Sequence, residues 1–583
     1  MAHAPGAAPA SAGSAAFGSP AAGARRWPRA WPLLLFVAFA ALDLAVFRHA
    51  LHGEFVSDDF GYVVNNPYAS ALSAENVAAL FDPRSPAQLY AVGNYAPIHA
   101  LLHVLERQIF ADEVLGYHLV NVLLHALNSV LLVTLLLWSR VPPLAALLGG
   151  LLFALHPANV EAVAWISQLK SSAGLTWALA ALLVHRRHPA LSAPLFALGL
   201  LTKAAAVFAL PMAAAFSWAR RGAPGGDARH WAWLGVWALV LGLYAFPQLA
   251  AFGHVAAVEV PAYDEAWVQL RSIAAIGARY LVMAATSYGV SAFHEPSPLV
   301  SLFDPWWLAA LPAAALLGWR TLACLRRGSD EGAYWIGAAA SYAPISQIFP
   351  FVHPIADRYL YFILPGLIGG TLLFAVEWRQ RLAARRSSGA QAAPSPLLLS
   401  RVALTGAAAL ALLFAYHSAE RARLWRNETR LLVDAANHYP EGGTASFLRG
   451  RRAAQLGDVD GAVVALREAA DRGVDRFAIL VTDPGLAPIQ REPAFRELVR
   501  ELARRWIARA QARGHSTPAD LRAMALAHVE LEEYGEAEAW LERALEGGGP
   551  LEPVLRADLA ALRARRAEWA RRGEGEGHRP QSP

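Results

Sequence analysis

The stretch "EFVSDDFGYVVNNP" (residues 54–67) places two adjacent carboxylates, Asp58 and Asp59, a few residues beyond an apolar run at 31–49. That run follows Arg25, Arg26 and Arg29 and has the positive flank and apolar core of a signal peptide, but the small-residue cleavage pattern after Phe47 is weak. It reads as an uncleaved signal anchor. An acid pair at this point either caps a local turn or stands at the mouth of a membrane bundle. In the second case one carboxylate can take a proton from a hydroxyl while its neighbour hydrogen-bonds or holds a cation. The choice depends on what else the chain brings to the same face.

The chain has 583 residues, of which 56% are hydrophobic and 17% charged, too apolar for a soluble protein of this length. Candidate spans fall near 31–49, 116–138, 142–156, 171–184, 189–202, 204–219, 231–251, 305–323, 334–352, 359–376 and 397–416, which predicts about eleven crossings. With the N-terminus inside, the inner connections hold Arg140, Arg186, Arg187, Arg220, Arg221, Arg229, Arg326, Arg327, Arg379, Arg381, Arg385 and Arg386, a positive-inside pattern. The net charge of +5 is therefore assigned to orientation in a bilayer and not to nucleic acid. Segment 269–290 is apolar but carries Arg271 and Arg279. A crossing there would move every later Arg-rich loop outward, so it is read as an interfacial or re-entrant helix within an outer loop spanning 252–304. Cys324, the single cysteine, excludes a disulfide framework and cysteine-based zinc or redox spacings.

This topology gathers five polar features on the outer face: the acid pair, "HPANVEAVAWISQLKSS" (156–172), Lys203, the 252–304 loop and "HPIADRYLY" (353–361). Lys203 is the tip of a hairpin made by 189–202 and 204–219. On the 116–138 span, His118, Asn121, His125 and Asn128 share one helix face, either lining a site or tying helices together. His99, His103 and Glu106 also have helical spacing. They are candidates for a divalent metal, although an amphipathic interfacial helix explains the pattern equally. Lys203 and Arg358 either snorkel to the interface or bind a phosphate, arginine by a charge-assisted fork and lysine as a point charge.

After about residue 417 the chain becomes charged and Leu-patterned. The segments "FLRGRRAAQLGDVDGAVVALREAADRG" (447–473) and "RAMALAHVELEEYGEAEAWLERALEGG" (522–548) look like tetratricopeptide repeats. Gly457, Ala462, Leu466 and Ala469 in one, and Gly535, Ala537, Leu541 and Ala544 in the other, match the positions where paired helices pack. The predicted organisation is a disordered Ala/Gly/Pro/Ser-rich start at 1–24, a membrane domain over 25–416, a helical tetratricopeptide-like domain over 417–565 and a charged tail at 566–583.

The succession "DDFGYVVNNP", "NYAPIHALLH", "GYHLVNVLLHALNS", "HPANVEAVAWISQLKSSAG", "LLTKAAAVFALP" and "DRYLYFILPG", followed by repeat-like helices, resembles the transmembrane and tetratricopeptide repeat-containing O-mannosyltransferases and their bacterial relatives. The resemblance implies an all-α GT-C membrane glycosyltransferase fold. It also implies transfer of a mannose-like hexose from a polyprenyl-phosphate carrier to Ser/Thr hydroxyls of extracytoplasmic proteins. By the same resemblance Asp58 is the base with Asp59 assisting, Lys203 and Arg358 hold the carrier phosphate, and His156 and Glu161 line the site, beside the stripe of His118, Asn121 and His125. The implied partners are the lipid-linked donor, an acceptor protein met through the repeat-like domain, and the cytoplasmic membrane. Three departures stand out. "SQLKSSAG" replaces a Gly-Arg-Ala-Asp-like run, Asp357 stands where Glu commonly precedes the arginine, and Ala204 follows Lys203 where an acid is often found.

Two other classes can be weighed. A transporter predicts broken or charged segments in corresponding places of two related halves, and no such symmetry is visible. A non-catalytic scaffold would give Asp58 no role. Within the enzyme class, a transferase or ligase acting on an envelope lipid or glycan would use the same donor chemistry. No glycine-rich nucleotide loop has a strand-to-helix setting, which suits a lipid-linked donor.

Overall fold

The computed structural model describes residues 30–576 except 92–93, 222–226, 253–264, 349–352, 388–395, 476, 514–517 and 548–550. The expected disordered start at 1–24, the three arginines before the anchor, part of the 252–304 loop and the end of the tail lie outside the described residues. Within them the secondary structure is helical, with no strand.

In chain order the first fifteen α-helices are α1 (Trp31–Val46), α2 (Ala74–Phe81), α3 (Pro97–Phe110), α4 (Val114–Trp138), α5 (Pro143–Ala154), α6 (Asn159–Ala164), α7 (Leu169–His185), α8 (Pro189–Thr202), α9 (Ala209–Ala219), α10 (Asp227–Phe252), α11 (Ala266–Thr286), α12 (Pro305–Arg327), α13 (Glu331–Tyr342), α14 (Asp357–Ser387) and α15 (Pro396–Ala422). Proline at the first turn starts α3, α5, α8 and α12, where its missing N–H costs no hydrogen bond. On α12 the Asp304 carboxylate also accepts the Trp306 N–H at 2.8 Å, and Gly328 at φ 68° closes the far end.

Four helical stretches among the described residues are long and apolar enough to cross a membrane: Val114–Trp138, Ala228–Ala251, Pro305–Arg327 and Asp357–Arg385. Trp31–Val46, Pro143–Ala154, Pro189–Thr202 and Ala204–Ala219 are apolar but shorter. The segment expected as one span at 204–219 is a tight turn over Ala204–Phe208 followed by α9. The expected span 334–352 holds α13 and a short turn over Ala343–Ile345, with 349–352 outside the described residues. The ambiguous 269–290 segment forms α11, which packs on α12 and α14.

One contiguous apolar core joins α1, α4, α5, α7, α8, α9, α13 and α14. Close approach needs small residues where backbones meet. A Cβ on Gly366 of α14 would lie 2.6 Å from both the Tyr334 carbonyl and the Ala338 nitrogen of α13, so only glycine lets this pair touch.

The remaining helices are α16 (Glu428–His438), α17 (Gly443–Gln455), α18 (Val459–Asp471), α19 (Phe477–Thr482), α20 (Pro493–Arg513), α21 (Pro518–Glu530), α22 (Tyr534–Glu546) and α23 (Glu552–Glu576). Leu431 of α16 joins the core of the bundle, and the helices from α17 onward bury separate cores of their own. Helices α17 and α18 pair through Ala462, Leu466 and Ala469, and α21 and α22 through Ala537, Leu541 and Ala544, all buried. The turn inside the first pair is made by Gly457 at φ 76°. In the second pair Glu532 at φ 64° takes the corresponding turn, while Gly535 lies in the first turn of α22 with open space around it.

Candidate functional site

The acid pair sits on a strained bend. Ser57 adopts φ 52°, a left-handed conformation that L-residues other than Asn and Asp seldom take, and it turns the next two side chains to different surroundings. Asp59 is fully buried. Its Oδ2 accepts the Val56 N–H at 2.9 Å, and its Oδ1 accepts both the Ser167 N–H at 2.8 Å and the Ser167 hydroxyl. Burial pushes this carboxyl up to about 6 even though all three donors favour the charged form. Asp59 therefore pins the loop to the α6–α7 junction. Asp58 is half-buried, and its carboxylate has no hydrogen-bond partner among the described residues. Its charge reaches Arg358.

The junction opposite the acids is shaped by Trp165. This residue is extended (φ −82°, ψ 120°), ends α6, and lets Ile166–Gln168 turn once before α7 begins. The break aims the Ser167 N–H at Asp59 and leaves the Trp165 indole to donate to the Val56 carbonyl at 3.3 Å. On its other side the indole stacks on Trp425, with ring centres 5.5 Å apart.

Three cations border this acidic rim. Arg358 opens α14, donates its backbone N–H to Glu161 Oε2 at 2.7 Å and forms an ion pair with Glu161 Oε1. Its guanidinium lies over Tyr359 and Trp165, 5.0 and 5.6 Å from the ring centres. Lys203, held at the α8 end by an extended backbone, donates to Ser171 Oγ at 2.6 Å and Gln168 Oε1 at 3.3 Å. Burial, then the charges of Lys170 and Arg358, hold its ammonium well below the ordinary lysine value. Lys170 donates to the Tyr62 hydroxyl at 3.2 Å. Glu161 is the acid that acts on both Arg358 and Lys203, so the cluster is short of negative charge and suited to a phosphate.

Of the other expected site residues, all but His118 have backbone or helix partners. His156 Nε2 donates to the Ala284 carbonyl at 3.1 Å while its Nδ1 accepts the Ala158 N–H at 3.2 Å. Asn121 donates to the Trp165 carbonyl at 3.0 Å and accepts from Ser172 Oγ at 3.0 Å. His125 pairs with the Tyr361 hydroxyl and the Ala154 carbonyl, each at 3.0 Å, and Asn128 bonds Tyr361 and the Ser172 carbonyl. The stripe on α4 thus ties this helix to α5, α7 and α14. His118 is buried against Gly53, and neither ring nitrogen has a hydrogen-bond partner among the described residues.

On α3, His103 Nδ1 lies 2.7 Å from Glu106 Oε2, and the His99 and His103 rings contact each other edge-on at 4.5 Å. Burial, then His103 and the nearby lysines, push His99 well below the usual histidine range. No three His, Cys, Asp or Glu side chains among the described residues are placed to hold a metal ion together, so His99 and His103 lack the further ligand that the metal expectation requires.

Sequence reasoning singled out Asp58, Asp59, Glu161, Lys203 and Arg358, and the structure brings these together. It passed over Lys170, Ser167, Trp165 and Tyr62, of which the first three lie inside the stretch quoted at 156–172. A lysine one helical turn before Gly174, whose missing side chain leaves room for Lys203, was the available signal.

Comparison with known proteins gives partial similarities. Over 152 residues the chain is 28% identical to a protein O-mannosyl-transferase of Caenorhabditis elegans, covering 25% of this chain and 22% of that protein. Over 160 residues it is 34% identical to the protein O-mannosyl-transferase Tmtc1 of Drosophila melanogaster, covering 26% of this chain and 18% of that protein. The matched stretches thus span about a fifth of each relative's length. No family model matches the chain. Among solved structures, the oligosaccharyltransferase of Archaeoglobus fulgidus in its apo form aligns over 68% of this chain and 56% of its own, with 14% identity and a TM-score of 0.40.

Proposed function

We propose that this chain is a membrane glycosyltransferase that moves a mannose-like hexose from a polyprenyl-phosphate carrier to Ser/Thr hydroxyls of extracytoplasmic proteins. The observation that carries the reading is Asp58, an unbonded carboxylate whose charge reaches Arg358 at the edge of a cluster that also holds Lys203 and Lys170. In this reading the carrier phosphate lies among the three cations and the sugar projects toward Asp58. The acceptor oxygen forms its bond to the anomeric carbon as the bond from that carbon to the phosphate oxygen breaks. Asp58 takes the hydroxyl proton, and the electron pair leaves with the phosphate, whose growing charge the cations stabilise. Asp59 holds the loop that carries Asp58, and Glu161 orients Arg358.

The architecture that goes with this reading has about eleven crossings of the cytoplasmic membrane. The N-terminus is inside, and the tetratricopeptide-like helical domain lies outside, where it meets the acceptor protein. The similarity to two O-mannosyl-transferases supports the sugar and the protein acceptor.

The test is mass spectrometry of envelope proteins and glycolipids with and without the gene. Proteins that lose a hexose, with transfer restored by the native chain but not by Asp58→Asn, are the expected result. Loss confined to a lipid or glycan would reassign the acceptor, and full transfer by Asp58→Asn would remove the base.

A further inference from the structure

The residue before Arg358 is linked, through His294 and Arg421, to the helices that follow the bundle. Asp357 is buried, and its Oδ1 accepts His294 Nε2–H at 2.8 Å and the Ser291 N–H at 3.3 Å. With Nε2 donating, His294 Nδ1 is left to accept the Tyr439 hydroxyl at 3.0 Å, which fixes the ring's tautomer. The second oxygen of Asp357 faces Arg421 at 3.4 Å, and Arg421 also faces Asp434 at 3.5 Å. Asp434 in turn accepts the Ala292 N–H at 2.9 Å. A third tie lies just outside these two: Glu295 accepts the Thr444 N–H at 3.0 Å and its hydroxyl at 2.6 Å. Asp434 belongs to α16, Tyr439 follows it, and Thr444 opens α17. Segment 291–295 is therefore gripped between the start of α14 and the first two helices of the C-terminal unit.

We infer that Asp357 is a positioning residue through which the C-terminal helical unit, by way of His294–Tyr439 and Arg421–Asp434, sets Arg358 for the carrier phosphate. The inference rests on the proposed donor chemistry. The two residues are adjacent in the first turn of α14, so the backbone that His294 and Arg421 fix on the Asp357 side also fixes the Arg358 N–H that Glu161 accepts at 2.7 Å. A shift of α16 is carried to Arg358 through bonds that a purely solvated domain would not make. The arrangement gives the acceptor-facing unit a direct influence on how well the donor is held, without touching the donor itself.

The test is a double-mutant cycle on the full-length protein in nanodiscs, with undecaprenyl phosphate as the probe and its Kd as the readout. Tyr439→Phe removes one hydroxyl and keeps the ring, and Thr444→Val loosens the outer tie; each is accepted only if its Tm matches the native protein's. The expected result is a three- to tenfold weaker Kd for Tyr439→Phe, about 0.6–1.4 kcal/mol. The weakening disappears when Arg358→Ala is already present, because coupled residues are not additive. An unchanged Kd in both variants, or a Tyr439→Phe effect that persists undiminished in the Arg358→Ala background, overturns the inference while leaving the carrier reading intact. Failure of the native protein to bind the probe overturns both.

Discussion

The two aspartates have different surroundings although they are adjacent in sequence. Asp58 is half-buried and its carboxylate has no hydrogen-bond partner among the described residues, so Asp58→Asn should abolish transfer while leaving folding untouched, as checked by activity and by an unchanged Tm. Asp59 has three donors, and an amide in its place would turn an N–H toward at least one of them, costing about 1–3 kcal/mol. Its folded carboxyl binds a proton more tightly than the unfolded one, so the folded form takes up a proton in that range. The contribution to stability is full below pH about 4 and is lost as pH rises through about 6. Thermal melts should show that downward slope in the native protein, and Asp59→Asn should flatten it. The acid pair, Glu161, Lys203 and Arg358 were legible because charged side chains next to apolar runs are conspicuous. The partners of Asp357 were not, since His294 and Arg421 lie 63 and 64 positions away and nothing in their own neighbourhoods marks them. Nor does spacing tell whether a polar stripe faces a cavity or another helix. On α4, the hydrogen bonds of Asn121, His125 and Asn128 to neighbouring helices become visible only once those helices are in place.

At the level of elements, the apolar runs gave helix positions within a few residues, from α4 at Val114–Trp138 to α12 at Pro305–Arg327. Two expected spans broke, at Ala204–Phe208 and at Ala343–Ile345: the first because a tight turn and an α-helix share apolar composition and differ only in local backbone angles, the second at Pro344, which cannot donate to a continuing helix. Helix contact is written more finely, in glycine. Gly366→Ala should force α13 and α14 apart, lowering stability by about 1–3 kcal/mol in a thermal assay in detergent. Gly406→Ala, on α15 with nothing within 4 Å of the added carbon, should leave the melt unchanged or slightly raised. Equal losses in both variants would point to glycine chemistry in general and not to this contact.

Across the whole molecule, the proposed topology can be read with one thiol at a time. Cys324 is fully buried, so a Cys324→Ala background gives a silent starting point. Glu54 and Arg326 are both exposed and lie at opposite ends of the bundle in the proposed topology. A membrane-impermeant maleimide added to intact cells should modify Glu54→Cys and spare Arg326→Cys, with the reverse on inverted vesicles. The lengths of the helices around Lys203 add a further point. Helix α8 has 14 residues and α9 has 11, so they are about 21 and 16 Å long against an oil layer of about 30 Å. With both helices crossing as proposed, a bilayer wrapped around such short rods would thin beside them, drawing water down toward the lysine. The hydrophilic sugar of the proposed donor would then reach the acids through a wet dimple while its greasy tether stays among the lipid tails.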